Sequence, residues 1–446
     1  MVGKDKLMEL VEKVLRLSDC EQTQVTVTAS DSALTRYSSN CIHQNVSYKD
    51  IDVSVKVVLE KRIGIAKTND LSDYALKALI EKAKEIALSR EKDPDFESLP
   101  SAQTVVEMAK FDSATAEQEP EERAQAVTRI IARAKKDKLS AAGSYSVQGE
   151  ELAIGNSLGV RVYHSGTSAN LVAVMLSEDS EGYAASSKEK AAEIDFQAVA
   201  NEAAEKAKMA RQPKDLAAGE YDVVLESYGL GELVDWMCYL GFNGKAYQEG
   251  RSFLCDRLGE KIMGDNITFI DCGTCPESRV LPFDFEGVPR QKVVLIDKGV
   301  AKSVVTDSIV SKKLKLPNTG HALPGGESFG PMPLHIMIDG GNGDLPKMVQ
   351  ELDKGLWVSH FHYVNGYIDP RNAVFTGMTR YGTFWVEGGK VKHPVKNLRF
   401  TESMLKAFSN VKSLSKKRRT FGDAYTSKVI PDVLIQKFKF TGTTEH

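Results

Sequence analysis

The chain has 446 residues, of which 42% are hydrophobic and 27% charged, and its formal net charge is -3. That length is too great for one core and suggests two or three units, and the mix of residues is that of a folded protein and not a disordered one. The near-neutral balance gives no reason to expect nucleic acid or anionic membrane as the main partner, and no apolar run reaches the roughly 18 residues that a spanning helix needs.

Residues 1–18 alternate charged and apolar side chains. They predict an amphipathic helix over 4–18 and not a signal peptide. Six cysteines in this length make no disulfide framework and fit a reducing compartment, so the expected location is the cytoplasm. Residues 23–28, 33–38 and 51–59 are β-branched and alternating, and predict strands. Lys61-Arg62-Ile63-Gly64 turns into a further short strand. Ser72 caps a helix that runs to about residue 90.

Residues 91–100 carry two prolines and no periodicity, as a linker does. Glu119-Pro120-Glu121-Glu122 opens a helix with proline near its first position and acids in its first turn. Strands are expected at 141–148, 151–156 and 160–176, with a turn at Asn156-Ser157-Leu158-Gly159. Residues 194–210 form an alanine-rich helix. From Tyr221 onward a strand leads into a helix on which Leu230, Leu233, Val234, Met237 and Leu240 recur at spacings of three and four. A hairpin across Asp297-Lys298-Gly299, a short helix at 345–352 and strands at 334–338, 356–368, 383–387 and 434–440 follow.

The expected fold is therefore α+β. It has an N-terminal unit of strands plus helices at 1–92, a mixed central strand–helix unit at 93–216 and a β-rich C-terminal domain at 217–446.

A zinc peptidase helix needs two imidazoles on one face and a glutamate beside them. None of the eight histidines is followed by glutamate, so neither HExxH nor HExxxH occurs. His360 and His362 stand two apart on an expected strand and share a face; with His335 or His321 they form the one alternative metal set. The bland reading of the pair, two side chains of a half-polar strand, is the favoured one. Cys272-Gly273-Thr274-Cys275 is a lone CxxC and is expected to be two reduced structural cysteines. Leu316-Pro317-Asn318-Thr319-Gly320 and Pro324-Gly325-Gly326 make a proline–glycine connecting loop. Lys416-Lys417-Arg418-Arg419 is expected to be a solvated surface run.

Several segments, in this order, resemble the TldD/PmbA family of peptidases. They are Arg36-Tyr37-Ser38, Val147-Gln148-Gly149 with Asn156-Ser157-Leu158-Gly159-Val160, Gln248-Glu249-Gly250-Arg251-Ser252-Phe253, Leu258-Gly259-Glu260-Lys261-Ile262, Asn318-Thr319-Gly320, residues 382–390, Pro394-Val395 and Asn410-Val411. In the family's zinc-bearing branch, the helix before the glycine turn carries HExxxH and a cysteine near the C-terminus completes the site. Counted back from Gly250, the two histidine positions fall near Asp235 and Leu240 and the glutamate near Trp236. Residues 227–251 hold no histidine, and the last cysteine is Cys275.

The resemblance is thus to the metal-free PmbA/TldE-like branch, members of a family also described as gyrase modulators. It implies no catalytic residue and no cofactor in this chain, with zinc carried by a TldD-like partner subunit, and a cytoplasmic metallopeptidase system acting on unfolded or small, modified peptides. Gly250, Arg251, Ser252, Phe253, Asn318, Thr319 and Gly320 are its candidate substrate or assembly segments. A peptide held as an added strand along residues 356–368 fits such a role. The alternatives are an enzyme in its own right using His360, His362 and His335, and a homodimeric binding or regulatory protein.

Overall fold

A computed structural model describes residues 1–108, 110–325 and 329–443. Gly326 of the proline–glycine loop and His446 lie outside them. The N-terminal half is built on one antiparallel sheet. Helix α1 (Lys4–Leu17) precedes β1 (Gln22–Ser38), β2 (Cys41–Leu59) and β3 (Arg62–Thr68). The two short β-branched runs expected at 23–28 and 33–38 are one strand. Ser39 and Asn40 join it to β2 with φ of 51° and 61°, the left-handed pair that a tight hairpin turn requires. Helices α2 (Asp73–Ser89), α3 (Ser113–Ala116) and α4 (Pro120–Lys136) follow. Ser72 caps α2 by accepting from the Ala75 amide. Strands β4 (Ser140–Asn156), β5 (Arg161–Leu176) and β6 (Glu181–Lys188) and helix α5 (Phe196–Met209) complete this half.

The sheet order is β3-β2-β1-β4-β5-β6. The sheet is continuous across the boundary expected at residue 92, because β1 pairs with β4 from Gln24–Asn156 to Tyr37–Gly143. Val25, Val27, Ala29, Ala33 and Tyr37 alternate along β1 and are buried, so they line one face. That face takes α1 and α2 at one end and α4 and α5 at the other. The opposite face brings Leu152, Ile154 and Val162 onto Leu281, Phe283 and Phe285 of the C-terminal half.

The C-terminal half opens with β7 (Gly219–Leu225), α6 (Ser227–Met237) and α7 (Gly244–Gln248). Next come β8 (Phe269–Asp271), β9 (Val293–Asp297), β10 (Val300–Ala301), α8 (Ser308–Leu314), β11 (His335–Ile338) and α9 (Leu345–Gln350). The remaining elements are β12 (Lys354–Asp369), β13 (Val374–Glu387), β14 (Lys390–Pro394), β15 (Leu398–Ser403), α10 (Met404–Ser409), β16 (Val411–Phe421) and β17 (Ser427–Thr443). The order β10-β9-β8-β11-β17-β15-β13-β12-β7 returns on itself, since β17 also pairs with β7. Strands β7, β12, β13, β15 and β17 therefore form a closed ring around a core that includes Phe361, Phe375, Phe400 and Phe438.

Two expectations change. Residues 416–419 lie within β16, paired to β17; Lys416 and Lys417 face solvent, but Arg418 and Arg419 are half-buried. Cys272 and Cys275 are joined in a disulfide, not reduced, because the turn between them brings their Cα atoms to 5.5 Å, within the range that a disulfide spans.

Candidate functional site

Helix α6 is held from both ends. At its start the Ser227 amide donates to Asp432 Oδ1 at 2.8 Å, a cap supplied by β17. Leu230, Leu233, Val234 and Met237 are buried against the ring core, which the three-and-four spacing dictates. The helix then widens into a π turn over Cys238–Phe242, a rare distortion found often at functional sites. Gly241 sits in that turn with the Phe253 ring so close that a Cβ would meet it at 1.8 Å. Ser252 Oγ donates to the Gly241 carbonyl at 2.6 Å and accepts from the Leu254 amide. Ser252 and Phe253 thus lock the end of α6, while Gly250 and Arg251 remain exposed.

A cleft of about 550 Å³ opens beside α6. Trp236, Tyr239, Met332, Leu334, Ile336 and Phe421 supply much of its wall, with Asp235 and Lys428 among its lining residues. The three positions of the expected zinc motif part company here. Asp235 is about half exposed and pairs with Lys428 of β17. Trp236 packs edge-to-face on Tyr239 and Tyr367, and its Nε1 donates to the Val364 carbonyl of β12 at 2.9 Å. Leu240 is buried against Gly366, where a Cβ would touch both Leu240 and Trp236 at 2.9 Å. A carboxylate already paired with an ammonium, an indole and an isobutyl group are not a zinc donor set. Glu232, one turn earlier, is half-buried; desolvation pushes its carboxyl up, and Lys428 opposes that.

Trp236→Phe removes one hydrogen bond to a half-buried carbonyl and is expected to cost about 1 kcal/mol, read in a urea titration. A loss near zero would mean that the indole N–H is not holding β12 to α6.

The other candidate residues lie elsewhere. Thr319 and Thr306 exchange hydrogen bonds at 2.7 and 3.0 Å, and Asn318 donates to Ser308 at 3.1 Å. Gly320 has φ of 70° beneath the Pro289 backbone. This loop braces Thr306 and the first turn of α8, and none of its residues lines the cleft. The set His360, His362 and His335 does not converge. His360 lies among Tyr183, Tyr228 and Tyr381, and burial pushes its imidazole down to about 4. His362 stacks beside Tyr363. His335 is wholly buried on β11, and β17 and β7 intervene between β11 and β12, a separation of about 14 Å at ordinary strand spacing. Among the described residues no three His, Cys, Asp or Glu side chains form a group that could hold a metal.

The edge expected along 356–368 is also shorter. Gly355 to Val358 is flanked by β13 on one side and β7 on the other. Past Val358 helix α6 takes the place of β7, and Trp236 caps the Val364 carbonyl.

Sequence reasoning passed over two buried polar groups that support the site. The first joins the halves of the chain. Glu226, just before α6 and wholly buried, accepts from Lys206 of α5 at 2.8 Å and from Trp357 Nε1 at 2.9 Å. Glu202 binds Lys206 and Arg419, and the Tyr228 ring lies between those two cations at 5.0 and 4.5 Å. The second centres on Asp271, also wholly buried. It accepts from His321 Nε2 at 2.8 Å and from the His335 amide at 2.7 Å, with Arg290 at 3.9 Å. Burial alone would raise its carboxyl, but His321 and Arg290 hold it well below the usual carboxylate range. Only a charged residue inside an otherwise apolar stretch could have signalled either group, as Glu226 does after Val223-Val224-Leu225.

Comparison with known proteins finds matches over most of the chain. Family models described as the PmbA/TldA metallopeptidase central domain and C-terminal domain match residues 69–211 and 218–442. Metalloprotease PmbA of Escherichia coli O157:H7 is 24% identical over 433 residues, covering 91% of this chain and 90% of that one. A metalloprotease TldD homolog of Buchnera aphidicola is 27% identical over 201 residues, 44% of this chain and 41% of its own length. The chain spans about two-fifths of that relative. The solved structure of TldE from Thermococcus kodakarensis superposes with a TM-score of 0.87 at 21% identity, over 98% of this chain and 100% of that one; it shares the fold.

Proposed function

The chain belongs to the PmbA/TldD metallopeptidase family, and on that premise we propose that it is a PmbA/TldE-like subunit that performs no zinc chemistry itself. In this reading it pairs in the cytoplasm with a zinc-bearing TldD-like chain and helps to hold the unfolded or small, modified peptides on which that chain acts. The observation that carries it is the content of α6. Where a zinc subunit has HExxxH, this helix presents Asp235 tied to Lys428, Trp236 bonded to β12 and Leu240 packed on Gly366. The cleft at the same place is walled by aromatic and aliphatic groups, suited to apolar peptide side chains.

The test is metal analysis followed by a peptidase assay. Purified chain is expected to hold substoichiometric zinc and to leave peptides uncut. Adding a family chain that carries HExxxH should give cleavage that a chelator abolishes, and Trp236→Ala should raise KM with little change in kcat. Stoichiometric zinc that disappears in His360→Ala would refute the proposal and favour an enzyme with its own metal site.

A further inference from the structure

A disulfide restrains the unfolded chain less the shorter the loop it closes, and Cys272 and Cys275 have a sequence separation of 3. The turn they span is also fixed without the bond. The Leu281 amide donates to the Gly273 carbonyl at 2.9 Å and the Ser278 amide to the Cys275 carbonyl at 3.1 Å. Lys110 Nζ donates to the Pro276 and Ser278 carbonyls, both at 3.2 Å, and ties the segment to the first half of the chain. The bond therefore adds little as a staple. Its two sulfurs also stand in different surroundings. Cys272 is 2% exposed and belongs to a small buried cluster with Met337 and Val429. Cys275 is half-buried and is followed by exposed Pro276 and Glu277. Asp271 faces Ile336 in the β8–β11 ladder, and the Cys272 amide donates to the His335 carbonyl at 3.0 Å. The next step of that antiparallel ladder sets Cys272 opposite His335, and β17 sets Ser427 on the other side of His335. Opposite residues share a face, with Cβ atoms about 4.5–5.5 Å apart. His335 is 0% exposed, and neither of its ring nitrogens has a hydrogen-bond partner; nor has Ser427 Oγ. A buried imidazole without a partner is costly. The sulfur of Cys272, once released from its disulfide, is a partner in the same row.

We propose that Cys272–Cys275 is a thiol–disulfide exchange site whose substrate is a low-molecular-weight thiol, with Cys275 as the sulfur attacked and His335 as the group that receives Cys272. A thiolate RS⁻ attacks Cys275 Sγ. The bond from R–S to Cys275 Sγ forms, the bond between the two Sγ atoms breaks, and its electron pair leaves on Cys272 Sγ. The N–H of His335 donates to that thiolate, which lowers its basicity, and a leaving thiol of lower pKa leaves faster. A second RS⁻ attacks the sulfur of the bound R–S group, forming RS–SR and releasing the Cys275 thiolate. The two cysteines take up two protons. Two thiols are thus oxidised to one disulfide, and the protein gains two electrons. The inference does not depend on the role proposed for α6.

The native full chain is expected to lose the bond to reduced glutathione, read after quenching as two alkyl groups on the tryptic peptide 262–279. Cys20, Cys41, Cys238 and Cys255 fall in other peptides. With oxidised glutathione, Cys272→Ser should carry glutathione on Cys275, and Cys275→Ser should carry none on Cys272. His335→Leu should move the exchange equilibrium with glutathione toward the disulfide by about tenfold, about 30 mV for two electrons, while its rate of reduction in urea matches the parent. Should His335→Leu fail to fold, the two serine variants still decide which sulfur is attacked. A bond that glutathione opens only in urea makes the pair a structural staple and overturns the proposal, as does glutathione found on Cys272 and not on Cys275. Equal equilibria for the parent and a folded His335→Leu overturn the part given to His335.

Discussion

Lys206→Ala is expected to destabilise the protein by about 3–5 kcal/mol, the cost of leaving a buried charge without its partner. Lys206 is 6% exposed and Glu226 0%. Glu226 also takes the Trp357 indole N–H, so it cannot turn away to solvent without breaking a second contact. Arg419, at 3.9 Å, is too far to replace the ammonium. The sign of the pH dependence separates this loss from simple loss of packing. Burial already raises the Glu226 carboxyl above its ordinary value, with Lys206 pulling against it. Without Lys206 the carboxyl rises further. Between the unfolded value, near 4.3, and the raised folded value, the native state holds the proton and the unfolded state does not. Stability then falls as pH rises through that window. The variant should lie closest to the parent at about pH 4–5 and fall furthest behind it near neutrality. Urea titrations at both ends of the range give the answer. A deficit that does not depend on pH would show that Glu226 finds another partner.

Asp271→Ala is expected to cost a similar 3–5 kcal/mol, from a different arrangement. It removes the acceptor of His321 Nε2 and of the His335 amide, and takes from Arg290 its one carboxylate within 4 Å among the described residues. Arg290 is fully buried, and no nitrogen of its guanidinium has a hydrogen-bond partner, so the field of Asp271, with a smaller one from Asp284, is what offsets its burial. Asp271→Asn keeps the shape and one acceptor but not the charge, and should fall between the parent and Ala. If Asn matched the parent, the charge of Asp271 would not be what stabilises Arg290. The parent itself should lose this contribution only in strong acid. A carboxyl held below its unfolded value stabilises above that unfolded value, and the effect goes as pH falls through the folded one.

Much of the architecture was legible because local pattern and final environment agree. Thr23-Gln24-Val25-Thr26-Val27-Thr28 alternates because one face of β1 meets helices and the other does not. Ser72 and Pro120 mark helix starts by backbone chemistry that needs no tertiary partner. Where tertiary partners decide, the pattern was silent. Glu181-Gly182-Tyr183-Ala184-Ala185-Ser186 has poor strand propensity, yet it is β6, because Gly182 must let α5 approach: a Cβ there would lie 2.1 Å from the Ala203 carbonyl. The basic run at 416–419 looked like solvated surface, yet it is strand, because Arg419 is drawn in by Glu202 and Tyr228.

At the candidate site, α6 and its missing ligands could be placed from the family resemblance and the spacing to Gly250. The cleft beside it could not. Its walls come from 235–239, 332–336 and 421–428, stretches far apart in sequence that meet only through the pairing of β11 with β17 and the packing of α6 on β12 and β17.

The position of β17 carries a consequence for how this protein is made. It pairs with β7, β11, β15 and β16, yet the ribosome delivers it after all of them. Until it emerges, β7, β12, β13 and β15 form an open sheet with two bare margins, and β8 with β11 is a separate fragment. The N-terminal sheet, complete by residue 188, can close much earlier. A nascent chain paused between residues 219 and 427 therefore carries a first half whose strands are all present, though its face at Leu152, Ile154 and Val162 is covered only by the second half, and an adhesive, unclosed second half. Over that interval a chaperone has most to protect.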